Sequence, residues 1–291
     1  MKAKNNKSAL VVEGGGMRGV FSAGVLHAFG EIGFNPFDLY IGVSAGACNL
    51  ASHLAGQNDR NFDIIMRYSS TKQFINPLRF LRGGHYMDLD WLWDVTIREY
   101  RLDLKTIFTS LARDKKEFIV VTTSMNSGNV LYLRPDEETL EEYLKASSSL
   151  PVLYRTILKI DGEEVTDGGI ADPVPVIEAF RRGARTITVI RSRPAGYIKK
   201  KERFGFLVSR YMKQYPGFVE AFRRRHAAYM EAVDFINNPP DGVVVHEITP
   251  DSTVAMSRTT KDKKSLSAAY QAGMKEGMNF FKAGRSGTPA K

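Results

Sequence analysis

The sequence predicts an α/β fold, a three-layer α/β/α sandwich around a mostly parallel central sheet. Three observations carry that expectation. Short apolar runs alternate with longer segments of helical spacing, the runs end in glycines or turn residues, and no internal repeat divides the 291 residues. A chain of this length can bury a large core without staples. Its one cysteine, Cys48, allows no internal disulfide.

The elements come in order. Residues 8–12 read as a short buried strand, ended by Gly14, Gly15 and Gly16. Apolar spacing over 19–31 predicts a helix, and 38–41 a second strand. Gly42-Val43-Ser44-Ala45-Gly46 then leads into a small-residue helix to about residue 55. Further strands are expected at 118–122, 130–133, 186–191 and 243–248, and helices at 103–113, 135–148, 174–182, 216–236 and 265–282. Asp161-Gly162, between 158–160 and 163–166, is a hairpin signal. With no linker in sight, residues 1–283 are expected to form one domain, with a disordered tail at 284–291.

Charge is unevenly spread. The net charge is +9, yet between Arg181 and Arg225 fourteen lysines and arginines face only Glu202 and Glu220, a local balance of +12. Such a block suits an anionic partner. Phe204, Phe206, Leu207, Tyr211, Tyr215, Phe218 and Phe222 interleave with Lys199, Arg203, Arg210, Lys213 and Arg223 to Arg225. This pattern fits either docking on an anionic membrane or a core-packed helix with a solvated basic face. No nucleic-acid module accompanies the charge, so no nucleic acid is expected. The lysines at 2, 4 and 7 precede an apolar run too short for a signal peptide, and no stretch approaches the roughly 18 apolar residues of a membrane span. The expectation is a cytoplasmic protein with peripheral membrane contact. Trp91 and Trp93, near Gly83-Gly84, are expected to pack in an aromatic core.

Three motifs carry chemistry. Gly42-x-Ser44-x-Gly46, between a strand and a helix, has the context of a nucleophile elbow. There the Ser44 hydroxyl would sit at a helix N-terminus that favours developing negative charge. Gly14-Gly15-Gly16-Met17-Arg18-Gly19 comes after the first strand, and its backbone amides suit an oxyanion. A dinucleotide loop is the alternative, since Gly14, Gly16 and Gly19 satisfy Gly-x-Gly-x-x-Gly and Asp38 could serve as ribose ligand. Asp167-Gly168-Gly169, on its own an ordinary turn, supplies the carboxylate base the serine lacks.

In this order the motifs resemble the patatin-like phospholipase family. The resemblance continues through Ala146-Ser147-Ser148-Ser149-Leu150-Pro151 and the stretch from Asp167 to Pro175, covering roughly residues 8 to 190. It implies a lipid acyl hydrolase with Ser44 as nucleophile, Asp167 as base and an oxyanion hole at Gly14, Gly15, Gly16 and Met17, with Arg18 nearby. Glu13 departs from the aspartate many members carry before the glycines. The part from about 196 to 283 matches the family core poorly, and substrate choice is expected to be encoded there.

A Ser44–Asp167–His246 triad is the alternative catalytic reading, and an idle hydrolase fold that only binds lipid is the alternative class. His246 lies in an apolar strand pattern, and only one strand–helix unit precedes Ser44, which disfavours the triad. His27, His53, His85 and His226 show no metal-type pairing. No metal and no organic cofactor is expected.

Overall fold

A computed structural model describes residues 6–199, 205–254 and 256–285. Its first half runs β1 (Lys7–Val12), α1 (Gly19–Glu31), β2 (Leu39–Val43), α2 (Ala45–Leu54), α3 (Arg60–Ile64), α4 (Pro77–Leu81), α5 (Leu89–Glu99), α6 (Leu104–Asp114) and β3 (Glu117–Ser124). It continues through β4 (Val130–Leu133), α7 (Leu140–Ser147), β5 (Leu158–Ile160), β6 (Glu163–Asp167), α8 (Val176–Arg181), β7 (Ala184–Ile190), α9 (Gly205–Tyr211), α10 (Pro216–Asn237), β8 (Val244–Ile248) and α11 (Lys263–Arg285).

The strands form one sheet in the order β5-β6-β3-β2-β1-β7-β8, with β4 also paired to β3. The pairs among β3, β2, β1, β7 and β8 are parallel, whereas β4, β5 and β6 join through antiparallel pairs. The sheet is therefore mostly parallel and mixed at one edge. Strand alternation sorts the core onto two faces. Leu10, Val12, Phe118 and Val120 pack with residues of α1, α2, α6 and α7. Ala9, Val11, Ile119 and Val121 pack with Val176 and Ala179 of α8 and Tyr229, Ala232, Val233 and Ile236 of α10. These are the three layers the sequence predicts.

Local chemistry fixes several ends. Asp161 and Gly162 both take positive φ, 51° and 82°, as a two-residue hairpin turn between β5 and β6 requires. Asp103 caps α6 by accepting from Thr106 N at 2.9 Å. The helix expected from residue 135 begins only at Leu140, because Asp136 Oδ1 takes the N–H groups of Glu138 and Thr139 into a side-chain turn. At the other end, α11 runs through Arg285, so residues 284 and 285 are helical rather than part of the expected tail, and residues 286–291 lie outside the described residues.

The largest departure from the sequence reading is the stretch from α3 to α5. Together with Met17, Val20 and Ala23 and with Leu266, Ala269 and Tyr270 of α11, Ile64, Phe74, Ile75, Met87, Leu89 and Leu92 form a separate apolar cluster outside the sheet layers. Trp91 and Trp93 are partly buried against it, and Trp93 Nε1 donates to Glu141 O at 3.0 Å. Signals for these helices exist in the Asn76-Pro77 start of α4 and the Asp88 cap of α5. No helix among the described residues is long and apolar enough to cross a membrane.

Helix α11 lies so close along α1 that glycines are obligatory at the crossing. A Cβ on Gly24 would stand 2.1 Å from Tyr270 O, and one on Gly273 2.1 Å from Phe21 O. His27 of α1 also hydrogen-bonds the Tyr270 hydroxyl and lies 3.1 Å from Asp59. Overpacking this contact forces the helices apart, so Gly24→Val is expected to lower unfolding stability by about 1–3 kcal/mol. Urea denaturation checks this, and an unchanged midpoint would contradict the close crossing.

Candidate active site

The site begins with strand pairing. β2 runs parallel to β3 as far as Val43 opposite Val121. β6 runs antiparallel to β3 and ends with Asp167 opposite Thr122, one residue further on. Over Val120 to Thr123 the other edge of β3 is taken by β4. A strand has only two hydrogen-bonding edges, so β2 and β6 share one and meet end to end. Ser44 and Asp167, more than 120 residues apart in sequence, thus leave the sheet at the same place.

The elbow is shaped by close approach. A Cβ on Gly42 would lie 2.5 Å from Ala47 Cα, and one on Gly46 2.4 Å from Val12 O. Only bare backbone lets α2 descend onto β2 and the end of β1. Ser44 itself turns with φ 53° and ψ −126°, a conformation non-glycine residues rarely hold. Its N–H donates to Ser147 Oγ at 2.8 Å, and that hydroxyl donates to Val121 O at 2.6 Å, so the elbow is tied back to β3. The Ser44 side chain is 6% exposed, at the N-terminus of α2.

Asp167 is 3% exposed. Its Oδ1 accepts the Gly169 N–H at 2.8 Å. Burial pushes its carboxyl above the ordinary range, opposed in decreasing order by Arg225, a hydrogen bond with the Ser44 side chain, the Gly169 N–H and Arg258. Arg225 is anchored by its Nε, which donates to Gly169 O at 2.6 Å. Gly168 permits the turn beside Asp167, since a Cβ there would stand 2.2 Å from Val121 O.

The glycine loop lies directly against the serine, where a Cβ on Gly14 would meet Ser44 Cβ at 3.1 Å. The structure narrows the amides open to an oxyanion. Met17 N donates to Arg258 O at 3.1 Å and Arg18 N to Gly15 O at 3.3 Å, which engages two of the predicted donors. The amides of Gly14, Gly15 and Gly16 carry no such bond among the described residues. Glu13 accepts from Ser192 N at 2.7 Å, anchoring the loop from behind.

Two cavities meet at Ser44. One, of about 790 Å³, is lined by Gly14, Gly15, Gly16, Arg18 and Asp167 together with Arg193, Lys199, Arg225 and Arg258. The other, of about 130 Å³, is lined mostly by apolar side chains such as Met17, Ile64, Phe74, Leu89, Leu92 and Leu150. All the predicted site residues line one cavity or the other. Sequence reasoning missed Arg258, placed Arg193 and Arg225 only in the basic block, and named Ser147 only within the serine-rich stretch of the resemblance.

Two alternatives lose their geometry. His246 of β8 shares a rung with Thr188, Leu10 and Tyr40, which puts it three strands from β2, roughly 14 Å sideways. Its ring meets Phe280 edge-on, and burial lowers its pKa. Asp38 accepts from Ser8 N and Oγ at the start of β1, whereas the glycine loop lies past that strand's far end, so it is no ribose ligand for this loop.

Similarity to known proteins agrees with this geometry. The sequence profile described as Patatin-like phospholipase matches residues 10–180, and one described as Domain of unknown function (DUF6363) matches 215–286. An uncharacterised protein of Escherichia coli K12, YjjU, is 37% identical over 248 residues, which cover 83% of this chain and 68% of the relative. A lysophospholipase NTE1 of Eremothecium gossypii is 28% identical over 62% of this chain but only 12% of its own length. Among solved structures, VipD of Legionella pneumophila aligns with TM-score 0.45 and 15% identity, over 97% of this chain and 67% of that one. With the profile covering more than half its length, the chain belongs to the patatin-like phospholipase family.

Proposed function

We propose that the protein is a serine-dependent acyl hydrolase of lipids, working through a Ser44–Asp167 dyad. One observation carries the reading: a strained, buried serine shares a cleft with a buried carboxylate and three glycine amides that carry no backbone hydrogen bond among the described residues. Ser44 Oγ attacks the ester carbonyl while Asp167 takes its proton. The carbonyl oxygen becomes an oxyanion held by amides of Gly14 to Gly16 and favoured by the α2 N-terminus. The alcohol leaves with a proton, and water, deprotonated by Asp167, then releases the acyl group as a carboxylic acid and restores Ser44. The apolar cavity suits an acyl chain. The family and the lysophospholipase relatives support a lipid ester as substrate.

Docking on an anionic membrane belongs to the same reading. Phe206 is 76% exposed, and Leu207 and Tyr211 are also exposed on α9 beside Arg210. Ile198, likewise exposed, lies at the cleft. Lys200, Lys201, Arg203 and Phe204 of the basic segment lie outside the described residues.

A fluorophosphonate probe is expected to label the wild type and to leave Ser44→Ala unlabelled. Equal labelling of both would remove Ser44 from the chemistry, and no labelling of either would favour an idle fold. Asp167→Asn is expected to lower kcat/KM by about 10²-fold or more, since general base catalysis typically contributes that much.

Asp167 must be ionised to accept a proton, and burial raises its pKa. Activity on a soluble ester should therefore rise with pH through an acidic limb above the ordinary carboxylate value of about 3.9. That limb should survive His246→Ala in a pH–rate profile, and its disappearance would restore the triad.

The backbone of Ser44 adds a stability test. Glycine tolerates its positive φ, so Ser44→Gly should be more stable than Ser44→Ala by about 1 kcal/mol, reversing the usual order of the two residues. Thermal or urea denaturation reads the difference. Finally, Phe206→Ser/Leu207→Ser should sediment less with anionic vesicles than the wild type does. Equal sedimentation would detach α9 from the membrane.

A further inference from the structure

The large cleft carries a charge pattern that ester cleavage does not require. Arg18 is 5% exposed, and its Nε has no hydrogen-bond partner. Burial, then Arg193, lowers its pKa to about 10, with Arg258 adding to the effect and only Glu13 opposing it among the carboxylates. Arg18, Arg193 and Arg258 line the same cleft. Among the described residues, Arg18, Arg193 and Arg258 form no ion pair. The carboxylates in the cleft lining are Glu13 and Asp167, and both are engaged elsewhere, by Ser192 N and by Gly169 N. Arg18 is the buried member of the three, and a buried guanidinium without an ion pair costs stability that an anionic ligand would offset.

The cluster is also built in place. Arg193 stacks on the Tyr197 ring at 4.3 Å, which holds its planar fork over the cleft. Arg258 is set by its own backbone, whose carbonyl accepts from Met17 N at 3.1 Å. A Cβ on Gly16 would stand 2.8 Å from that same oxygen, so the segment clasps the glycine loop directly. Arg18 comes from that loop. Arg193 and Arg258 lie beyond residues 10–180, and Arg258 falls within 215–286, the stretch matched only by a domain of unknown function.

We propose that this cleft is a phosphomonoester headgroup site, in which Arg18, Arg193 and Arg258 clasp the terminal phosphate of an acylglycerophosphate while its acyl ester lies at Ser44. The inference rests on the lipid-hydrolase reading of Ser44 and adds the substrate class. A phosphomonoester carries a charge of roughly −1.5 to −2 at neutral pH and three acceptor oxygens. Arginine forks match that geometry bidentately. A choline-capped headgroup has no net charge and would bring a cation against three guanidinium groups, a like-charge juxtaposition that binding sites select against. On this reading the C-terminal region, through Arg258, supplies one wall of the substrate pocket.

The test measures binding, so it does not depend on turnover. Calorimetric titration of the Ser44→Ala protein with hexanoyl lysophosphatidate and with hexanoyl lysophosphatidylcholine, both below micelle formation, should show the phosphomonoester bound about tenfold tighter or more. Adding Arg193→Gln and Arg258→Gln should erase most of that preference, and Arg258→Lys, which keeps charge but not the fork, should keep part of it. Equal affinity for the two lipids overturns the proposal whether or not the arginine variants fold. So does a preference that persists in an arginine variant with an unaltered thermal transition. Inorganic phosphate should compete only at much higher concentration than the lipid. Equal potency would mean a free-anion site and would also overturn it. Fluorophosphonate labelling of the wild type reports separately on the hydrolase reading, so the two failures are distinguishable.

Discussion

The site depends on one shared edge of β3. β2 occupies that edge up to Val121, and β6 occupies it from Thr122 onward, running the other way. Two strand ends therefore face each other across a single residue step, and the residues at those ends are brought together. Ser44 comes directly after β2, and Asp167 closes β6. Ser147 locks the junction by bonding the Ser44 amide and the Val121 carbonyl with one hydroxyl. Three glycines near the junction answer a contact of less than 3 Å with backbone: Gly42 with α2, Gly46 with the end of β1, and Gly168 with Val121. Side chains at these positions would push the two ends apart before any chemistry could be asked of them.

Electrostatics is set by the same packing. Closing the junction buries the Asp167 carboxyl, which favours its neutral form, while Arg225 and the Gly169 amide support the charged one. The balance leaves the carboxyl raised, a suitable state for a group proposed to take a proton and return it. Arg225 belongs to the basic block between 181 and 225, and so does the buried Arg191, which bonds Glu247 and the Tyr229 hydroxyl. Part of that charge is thus internal, holding α10 and β8 to the sheet and serving the cleft. The local excess of +12 overstates the charge the surface offers to a partner.

Much of the fold was legible because its signals are local. The alternation of apolar runs and helical segments gave the layers, and Asp161-Gly162 marked its hairpin through the backbone freedom of those two residues. The glycine-bordered motifs around Gly14, Ser44 and Asp167 were legible one by one, and their order suggested that they belong together. Adjacency was beyond the reach of the sequence. The cap from α3 to α5 packs on Met17 and Tyr270, partners far away in the chain, so its apolar residues obey no sheet-facing pattern. Arg18, Arg193 and Arg258 come together through tertiary packing alone. The fate of individual amides was equally hidden, since Met17 N is engaged only because residue 258 happens to lie against it.

The topology also favours the proposed carboxylate from β6 over a histidine from β8 as the partner of Ser44. Sheet register is rigid, because a slip of one residue would carry a whole strand's side chains to the wrong face. His246 is fixed opposite Thr188, Thr188 opposite Leu10, and Leu10 opposite Tyr40, four residues before the elbow. Bringing that ring to the serine would mean breaking parallel pairings at the centre of the sheet. Asp167 needs no such rearrangement, because the end of its strand already abuts the end of β2. A fold that joins two strand ends on one edge supplies the position, and a short acidic side chain is enough to cross the gap that remains.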